Sequence, residues 1–250
     1  MLFAPENMLI LDSVDSTNNY AMALIQQGER RSIKPVFSME QTRGKGRRGK
    51  HWQSTKGTNI MLSIPMKMQW LPVSQQFQLS VAVALSCYDL FSKYLFSNVF
   101  IKWPNDIFIN DTKAGGILIE SIIKGTLWQW SVIGIGLNIN QEKFEEFNLK
   151  ATSLKLASGE SYDVLKLAKE LVSLVLKRVE ELKSGKFQKM LEEYNRHLFG
   201  RGEIVKLKKE NILFETKIIG VSSSGQLITK DAFERKFDFD EVEFKGFCWS

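Results

Sequence analysis

The residues best equipped for chemistry lie in one run, Arg43-Gly44-Lys45-Gly46-Arg47-Arg48-Gly49-Lys50, which carries five cations and no acid and is closely followed by Trp52. The guanidinium groups of Arg47 and Arg48 can grip a phosphate or carboxylate through paired N–H donors. Interleaved glycines let the backbone turn through positive φ and approach a ligand closely. Five mutually repelling cations in one loop are expected to order over an anion. The run therefore points to a phosphate-bearing small molecule. Two familiar phosphate motifs fit formally and fail on context. Gly44, Gly46 and Gly49 satisfy G-x-G-x-x-G, but no helix pattern follows and residues 62–71 contain no acid to take a ribose. Gly44 through Lys50 satisfies G-x-x-x-x-G-K, yet His51 stands where a Ser or Thr must meet Mg2+. A solvated basic loop, or a nucleic-acid patch with Trp52 for stacking, are the other readings of the run taken alone.

Three further clusters narrow the choice. Lys102-Trp103-Pro104-Asn105-Asp106 closes one predicted strand, and Lys113-Ala114-Gly115-Gly116 opens the next. Turn chemistry and a bulge account for Pro-Asn-Asp and Gly-Gly separately. Together they put one carboxylate, Asp106, and one cation, Lys113, on the same side of a hairpin. In 131–140, Ile133, Ile135, Leu137 and Ile139 alternate with Gly134, Gly136, Asn138 and Asn140. Glycines on a strand face imply that a ligand or another backbone lies against it. Asp15-Ser16-Thr17-Asn18 caps a helix, and a helix start rich in hydroxyls also suits an anion.

The elements that must position these residues follow from periodicity. Helices are predicted from Asp15 and Ser16 to a stop at Gly28, over 77–95 with one apolar face, over 163–183 and over 187–198. Strands are predicted at 36–40 and 59–65, and then at 99–103, 107–110, 116–123 and 127–140, the last four joined by turns too short for parallel crossovers. After Gly200-Arg201-Gly202 the pattern changes to short strands at 204–205, 214–219, 226–229 and 237–240, as in a small β-barrel. The expected class is α+β, a mixed, largely antiparallel sheet flanked by helices, with domains over 1–199 and 200–250. Composition is that of an ordinary globular protein, 44% hydrophobic and 25% charged, with a net charge of +6 that is weak grounds for nucleic acid. Cys87 and Cys248 show no metal-ligand spacing, the first six residues do not read as a signal peptide, and no apolar stretch approaches the roughly 20 residues of a membrane helix. A cytoplasmic protein is expected.

Taken together these residues resemble the biotin–protein ligases over about residues 14–140. The family's Ser-Thr-Asn appears as Ser16-Thr17-Asn18, and its Gly-Arg-Gly-Arg-Arg-Gly loop as Gly44–Gly49 ahead of Trp52. Its Lys-Trp-Pro-Asn-Asp is Lys102–Asp106, its lysine before Ala-Gly-Gly is Lys113, and its Gly-x-Gly-x-Asn strand ends at Asn138. The resemblance implies a class II synthetase-like catalytic fold with a C-terminal SH3-like barrel. It implies activation of biotin by ATP, with Mg2+, to biotinyl-5′-adenylate, and transfer to a lysine of a biotin carboxyl carrier protein. Lys113, Arg47 and Asp106 would be the catalytic residues. Ser16, Thr17, Asn18, Gln41, Lys45, Arg47, Trp52, Lys113 and Gly115 would hold biotin. Arg47, Arg48, Trp52, Asn105, Lys113 and Asn138 would hold ATP. No metal ligand is assigned. Lys45 replaces the usual first Arg of the loop, exchanging a bidentate fork for a point charge, and Thr55 replaces a frequent Pro. The DNA-binding N-terminal domain of repressor-type members is not found, so sequence-specific DNA is not an expected partner; a homodimer through exposed strand edges is allowed. A lipoate or octanoate ligase or transferase of the same fold class is the nearest rival.

Overall fold

The computed structural model describes residues 7–28, 33–95, 98–144 and 150–247. In chain order the elements are β1 (Leu9–Leu11), α1 (Thr17–Gln26), β2 (Val36–Ser38), β3 (Asn59–Lys67), α2 (Gln76–Ser92), β4 (Val99–Lys102), β5 (Asp106–Ile109), β6 (Thr112–Lys124) and β7 (Leu127–Asn138). They continue as α3 (Leu154–Ser158), α4 (Val164–Lys183), α5 (Phe187–Arg196), β8 (Ile204–Lys209), β9 (Ile212–Val221), β10 (Leu227–Lys230), β11 (Glu234–Phe237) and β12 (Glu243–Phe247). The first seven strands form one sheet in the order β1-β2-β3-β7-β6-β5-β4, parallel only at β1–β2. The last five form a second, antiparallel sheet in the order β11-β10-β9-β8-β12. This is the α+β arrangement expected from the pattern.

Alternation along β7 decides which face of the large sheet does what. Side chains of a strand point to opposite faces in turn, so Ile133, Ile135 and Leu137 enter the core with Ile60, Leu62 and Ile64 of β3. The helices α2, α4 and α5 cover that face. The apolar stripe of α4, from Val164 and Leu167 through Leu171, Val175 and Val179 to Leu182, is buried there, and Asp163 caps the helix by accepting from the Lys166 amide. On the opposite face, α1 packs Ala21 against Val36 and Val132. Beyond α1, the residues facing out are Gly134 and Gly136, and the sheet is left open to a cleft.

The structure departs from the expected elements at the margins. The predicted strand at 237–240 is displaced: β11 ends at Phe237, and residues 238–241 turn, with Asp240 at φ 74 and the Glu241 amide donating to the Asp238 carbonyl. The alternation Phe-Asp-Phe-Asp is satisfied without a ladder, because Phe237 enters the second sheet while Phe239 packs against Phe77 and Trp103. The short elements β1 and α3, and the strand β12, were not signalled by periodicity. Cys87 is buried, which pushes its thiol pKa well up and makes it inert. Cys248 and the first six residues lie outside the described part. Among the described residues no helix is long and apolar enough to cross a membrane.

Candidate active site

Clefts bind where a sheet face is left uncovered, and here the uncovered face is floored by glycine. Gly116 of β6 pairs directly with Gly136 of β7, and Gly134 lies two residues along on the same face. A Cβ on Gly136 would come within 2.6 Å of the Trp52 ring, and one on Gly134 within 2.5 Å of the Asn18 amide. A Cβ on Gly116 would meet Trp52 at 3.4 Å and the Lys113 ammonium at 3.6 Å. What presses on the glycine face is thus Trp52 and Asn18, which need the missing side chains to seat. The cleft above has a volume of about 1230 Å3 and extends from the α1 N-terminus to the second sheet.

At one end, the start of α1 meets β3. Ser16 is the N-cap, and its side chain makes no cap hydrogen bond. The Thr17 amide and hydroxyl both donate to Gln41 Oε1, at 2.8 and 2.9 Å, which leaves the Gln41 amide nitrogen as a donor for a ligand. Ser63 of β3 donates to Asn18 Oδ1 at 2.5 Å, and Asn18 Nδ2 donates to Glu120 at 2.7 Å. The Asn18 amide is therefore oriented from both sides. Ser63 and Glu120 are neighbours of the pocket that sequence reasoning missed, since Ser63 is one small polar residue in an apolar strand and Glu120 follows the apolar run Ile117–Ile119 with no motif of its own.

In the middle of the cleft, Lys113 and Asp106 pair at 2.7 Å. The backbone of Lys113 is clamped by residues 150–152: its amide donates to the Lys150 carbonyl and its carbonyl accepts from the Thr152 amide. A register shift between Ile107 and Phe108 sets Lys113 opposite Phe108, while Asp106 pairs with Gly116. Asn105 braces the hairpin by donating to the Ile117 carbonyl at 2.9 Å and accepts from Arg47 at 3.4 Å.

The cationic loop forms the third side. Gly46 and Lys50 close a narrow hairpin, with a 3-10 turn over Arg47–Gly49 and Arg48 at φ 55. The anion that this run was expected to need comes from within the chain. Asp240, in the turn after β11, lies 3.1 Å from the guanidinium groups of both Arg47 and Arg48. Arg47 also lies over the Phe239 ring, and Trp103 donates to the Gly225 carbonyl, so the second sheet is anchored to the cleft rim. The loop faces inward across the cleft, an arrangement that a solvated basic patch would not need.

Of the residues singled out from sequence, Ser16, Thr17, Asn18, Gln41, Lys45, Arg47, Arg48, Trp52, Asn105, Asp106 and Lys113 all line the cleft. Asn138 and Gly115 are not among its lining residues. Asn138 is buried and donates to the Thr152 carbonyl at 2.9 Å, which helps hold the segment that clamps Lys113. Gly115 abuts Leu137 on the core side and leaves Gly116 to face the cleft. Among the described residues no group of three His, Cys, Asp or Glu could hold a metal ion.

Known proteins with this geometry are informative. The bifunctional ligase/repressor BirA of Bacillus spizizenii is 27% identical over 240 residues, 94% of this chain and 73% of that protein. The biotin–[acetyl-CoA-carboxylase] ligase of Mycobacterium tuberculosis is 30% identical over 148 residues, 58% of this chain and 53% of that protein. Over other BirA proteins the matched part falls below two thirds of their length, 64% in Bacillus subtilis and 43% in Escherichia coli. The fold is that of the Aquifex aeolicus biotin protein ligase solved with biotin and ATP, at a TM-score of 0.80 and 23% identity over 96% of this chain and 99% of that one. The sequence model of the biotin/lipoate A/B protein ligase family matches residues 10–138, just over half of the sequence, and the chain belongs to that family.

Proposed function

We propose that the chain activates biotin with ATP to biotinyl-5′-adenylate and passes the acyl group to a lysine of a biotin carboxyl carrier protein. The observation that carries this reading is the convergence on one cleft of an oriented amide-and-hydroxyl pocket, a glycine floor under an indole, and the Lys113–Asp106 pair. Residues 1–199 supply this site in our reading, and residues 200–250 close it.

The first step joins two anions. The biotin carboxylate attacks the α-phosphorus, the bond to the β-phosphate oxygen breaks, and pyrophosphate leaves with the electron pair. Carboxylate and phosphate repel strongly in a cleft of low dielectric, so the site must present positive charge where they meet. Lys113 and Arg47 are placed to do so, with Lys45 and Arg48 closing over them. Ser16, Thr17, Asn18 and Gln41 would hold the polar ring of biotin, and Trp52 would cover its apolar atoms or the adenine. Mg2+ fits only as an ion carried on the nucleotide phosphates, with Asp106 the carboxylate at hand, since Mg2+ needs few protein ligands when phosphates supply the rest. In the second step the acceptor amine attacks the acyl carbon, AMP leaves, and the ammonium proton is lost; Asp106 would orient that lysine. A cytoplasmic setting suits both ATP and a carrier-protein acceptor. Among the described residues the outer edge of β1 has no strand partner, and a homodimer would form there. That of β4 is partly paired by residues 197–199.

Exchange of radiolabelled pyrophosphate into ATP tests the reading directly. Exchange should depend on biotin and remain absent with lipoate or octanoate in its place. Exchange supported by lipoate alone would move the substrate to the other branch of the family.

A further inference from the structure

Lys102 has no place yet in this reaction, and its setting is unusual for a lysine. It ends β4 on the wall of the cleft. Its ammonium lies 4.6 Å from the ring centroids of Phe108 and Phe244 and 5.9 Å from that of Phe199. These rings come from β5, from β12 of the second sheet and from the segment after α5. Its cross-strand partner Asp106 is committed to Lys113, and among the described residues no carboxylate forms an ion pair with Lys102.

Ring faces attract a cation, but by only about 0.5–2 kcal/mol each, less than a buried charge loses on leaving water. The electrostatic balance agrees. Burial lowers the Lys102 pKa to about 8; Asp106 and Glu243 oppose this, while Lys113 and Lys50 reinforce it. A methionine would fill the cage without that cost. The cation is thus retained at an energetic loss in the unliganded protein, which an anion in the cleft would reverse. Lys50, Lys102 and Lys113 all line the same cleft, which suits an anion carrying several charges.

We propose that Lys102 binds the β- and γ-phosphates of the nucleotide and holds the departing pyrophosphate. The inference rests on the adenylating reaction proposed above. In that step the bond between the α-phosphorus and the β-phosphate oxygen breaks and the leaving group gains charge. The Lys102 ammonium offers hydrogen bonds to that charge, and no proton need move. The aromatic cage fixes the ammonium while leaving its N–H donors free for phosphate, as a carboxylate partner would not. Because Phe244 belongs to the second sheet, that sheet also helps shape the phosphate site.

The test is the KM for pyrophosphate in biotin-dependent exchange, with biotin binding measured separately by calorimetry. Lys102→Met should raise that KM by about 10- to 100-fold, the worth of a hydrogen bond to a charged group, and leave biotin affinity within about twofold. Lys102→Arg should recover most of the loss. Above the folded pKa the amine is neutral, so the unaltered protein's KM should rise relative to that of Lys102→Arg as pH passes through about 8. Comparing these two at each pH cancels the titration of pyrophosphate itself, and it carries the test even if Lys102→Met fails to fold. A KM ratio that stays flat with pH, or an unchanged KM in folded Lys102→Met, overturns the assignment. Absence of biotin-dependent exchange in the unaltered protein removes the ligase reading and this assignment together.

Discussion

In the proposed reaction Lys113 supplies charge where the biotin carboxylate and the nucleotide meet. Its ion pair with Asp106 lies on the cleft wall with 27% of the Lys113 and 18% of the Asp106 side chain exposed, between a surface pair, worth about 0–1 kcal/mol, and a buried one, whose breaking costs about 3–5 kcal/mol. Lys113→Ala should therefore lower the melting temperature by only a few degrees, roughly 2–8 °C for about 1–2 kcal/mol. It should reduce biotin-dependent exchange by at least about 100-fold, the order lost when one preorganised charge stabiliser is removed. Near-normal exchange would take Lys113 out of the reaction. The glycine floor makes a graded prediction. Gly136→Ala places a methyl within 2.6 Å of the Trp52 ring, whereas Gly116→Ala meets the same ring at 3.4 Å, an ordinary contact. Biotin affinity should fall steeply in the first and little in the second; equal losses would mean that Trp52 does not need its seat on Gly136. Arg47, Trp52, Thr17 and Lys113, which all line the cleft, were legible in the sequence because each sits in a run whose residue types and spacing stand out. Ser63 and Glu120 were not, because nothing local separates a single polar residue that orients an amide from one that meets water.

The cationic loop and the turn after β11 act as a pair of elements. Asp240 holds two guanidinium groups at once, and both ion pairs are partly exposed, so the contact is weak enough to yield to a nucleotide. Asp240→Asn should remove both ion pairs and leave the loop tethered through Asn105, the Phe239 ring and the Asp240 carbonyl, which accepts from Arg48. Trypsin should then cut after Arg47 or Arg48 faster in the variant, and biotin with ATP should slow cleavage in both proteins. Equal cleavage rates without ligand would show that Asp240 does not restrain the loop. Elements with a strong period were legible: α4 by its apolar stripe, β7 by strict alternation. The three-residue β1 and five-residue α3 are too short to show a period and exist because neighbours pair or pack with them. Residues 237–240 read as strand because Phe237 and Phe239 alternate, yet Phe237 enters the second sheet while Phe239 packs against Phe77 of α2 and Trp103. A contact spanning 193 residues, as between Arg47 and Asp240, leaves no local signal at all.

At the scale of the molecule, the helical layer must stay rigid so that β6 and β7 keep their glycines in register as the floor of the cleft. Arg178 of α4 is the tie. Its guanidinium bonds Asp89 of α2 at 2.8 Å twice, Glu193 of α5 at 2.6 and 2.9 Å, and Glu181 on its own helix at 3.4 Å. Burial works against its charge, yet the hydrogen bonds to Asp89 and Glu193 win and hold its pKa above the ordinary arginine value. One step along, Asn195 of α5 accepts from the Val221 amide at 2.7 Å and donates to its carbonyl at 3.0 Å, which fastens the second sheet to the same helix. Loosening Arg178 should therefore be felt in both sheets. Arg178→Met leaves three carboxylates, those of Asp89, Glu193 and Glu181, with no cation between them. Removing one partner of a buried pair costs about 3–5 kcal/mol, and the partial exposure of Asp89 and Glu193 brings the expectation to about 2–3 kcal/mol. In a chain of this length that is a fall in melting temperature of roughly 4–12 °C. The triple replacement Arg178→Met, Asp89→Leu and Glu193→Leu removes the two carboxylates of the neighbouring helices with the cation and leaves Glu181 alone, and it should recover most of the loss, since apolar groups of similar size substitute well for buried ion pairs. A triple variant no more stable than Arg178→Met would mean that the network holds the helices by geometry that packing cannot replace.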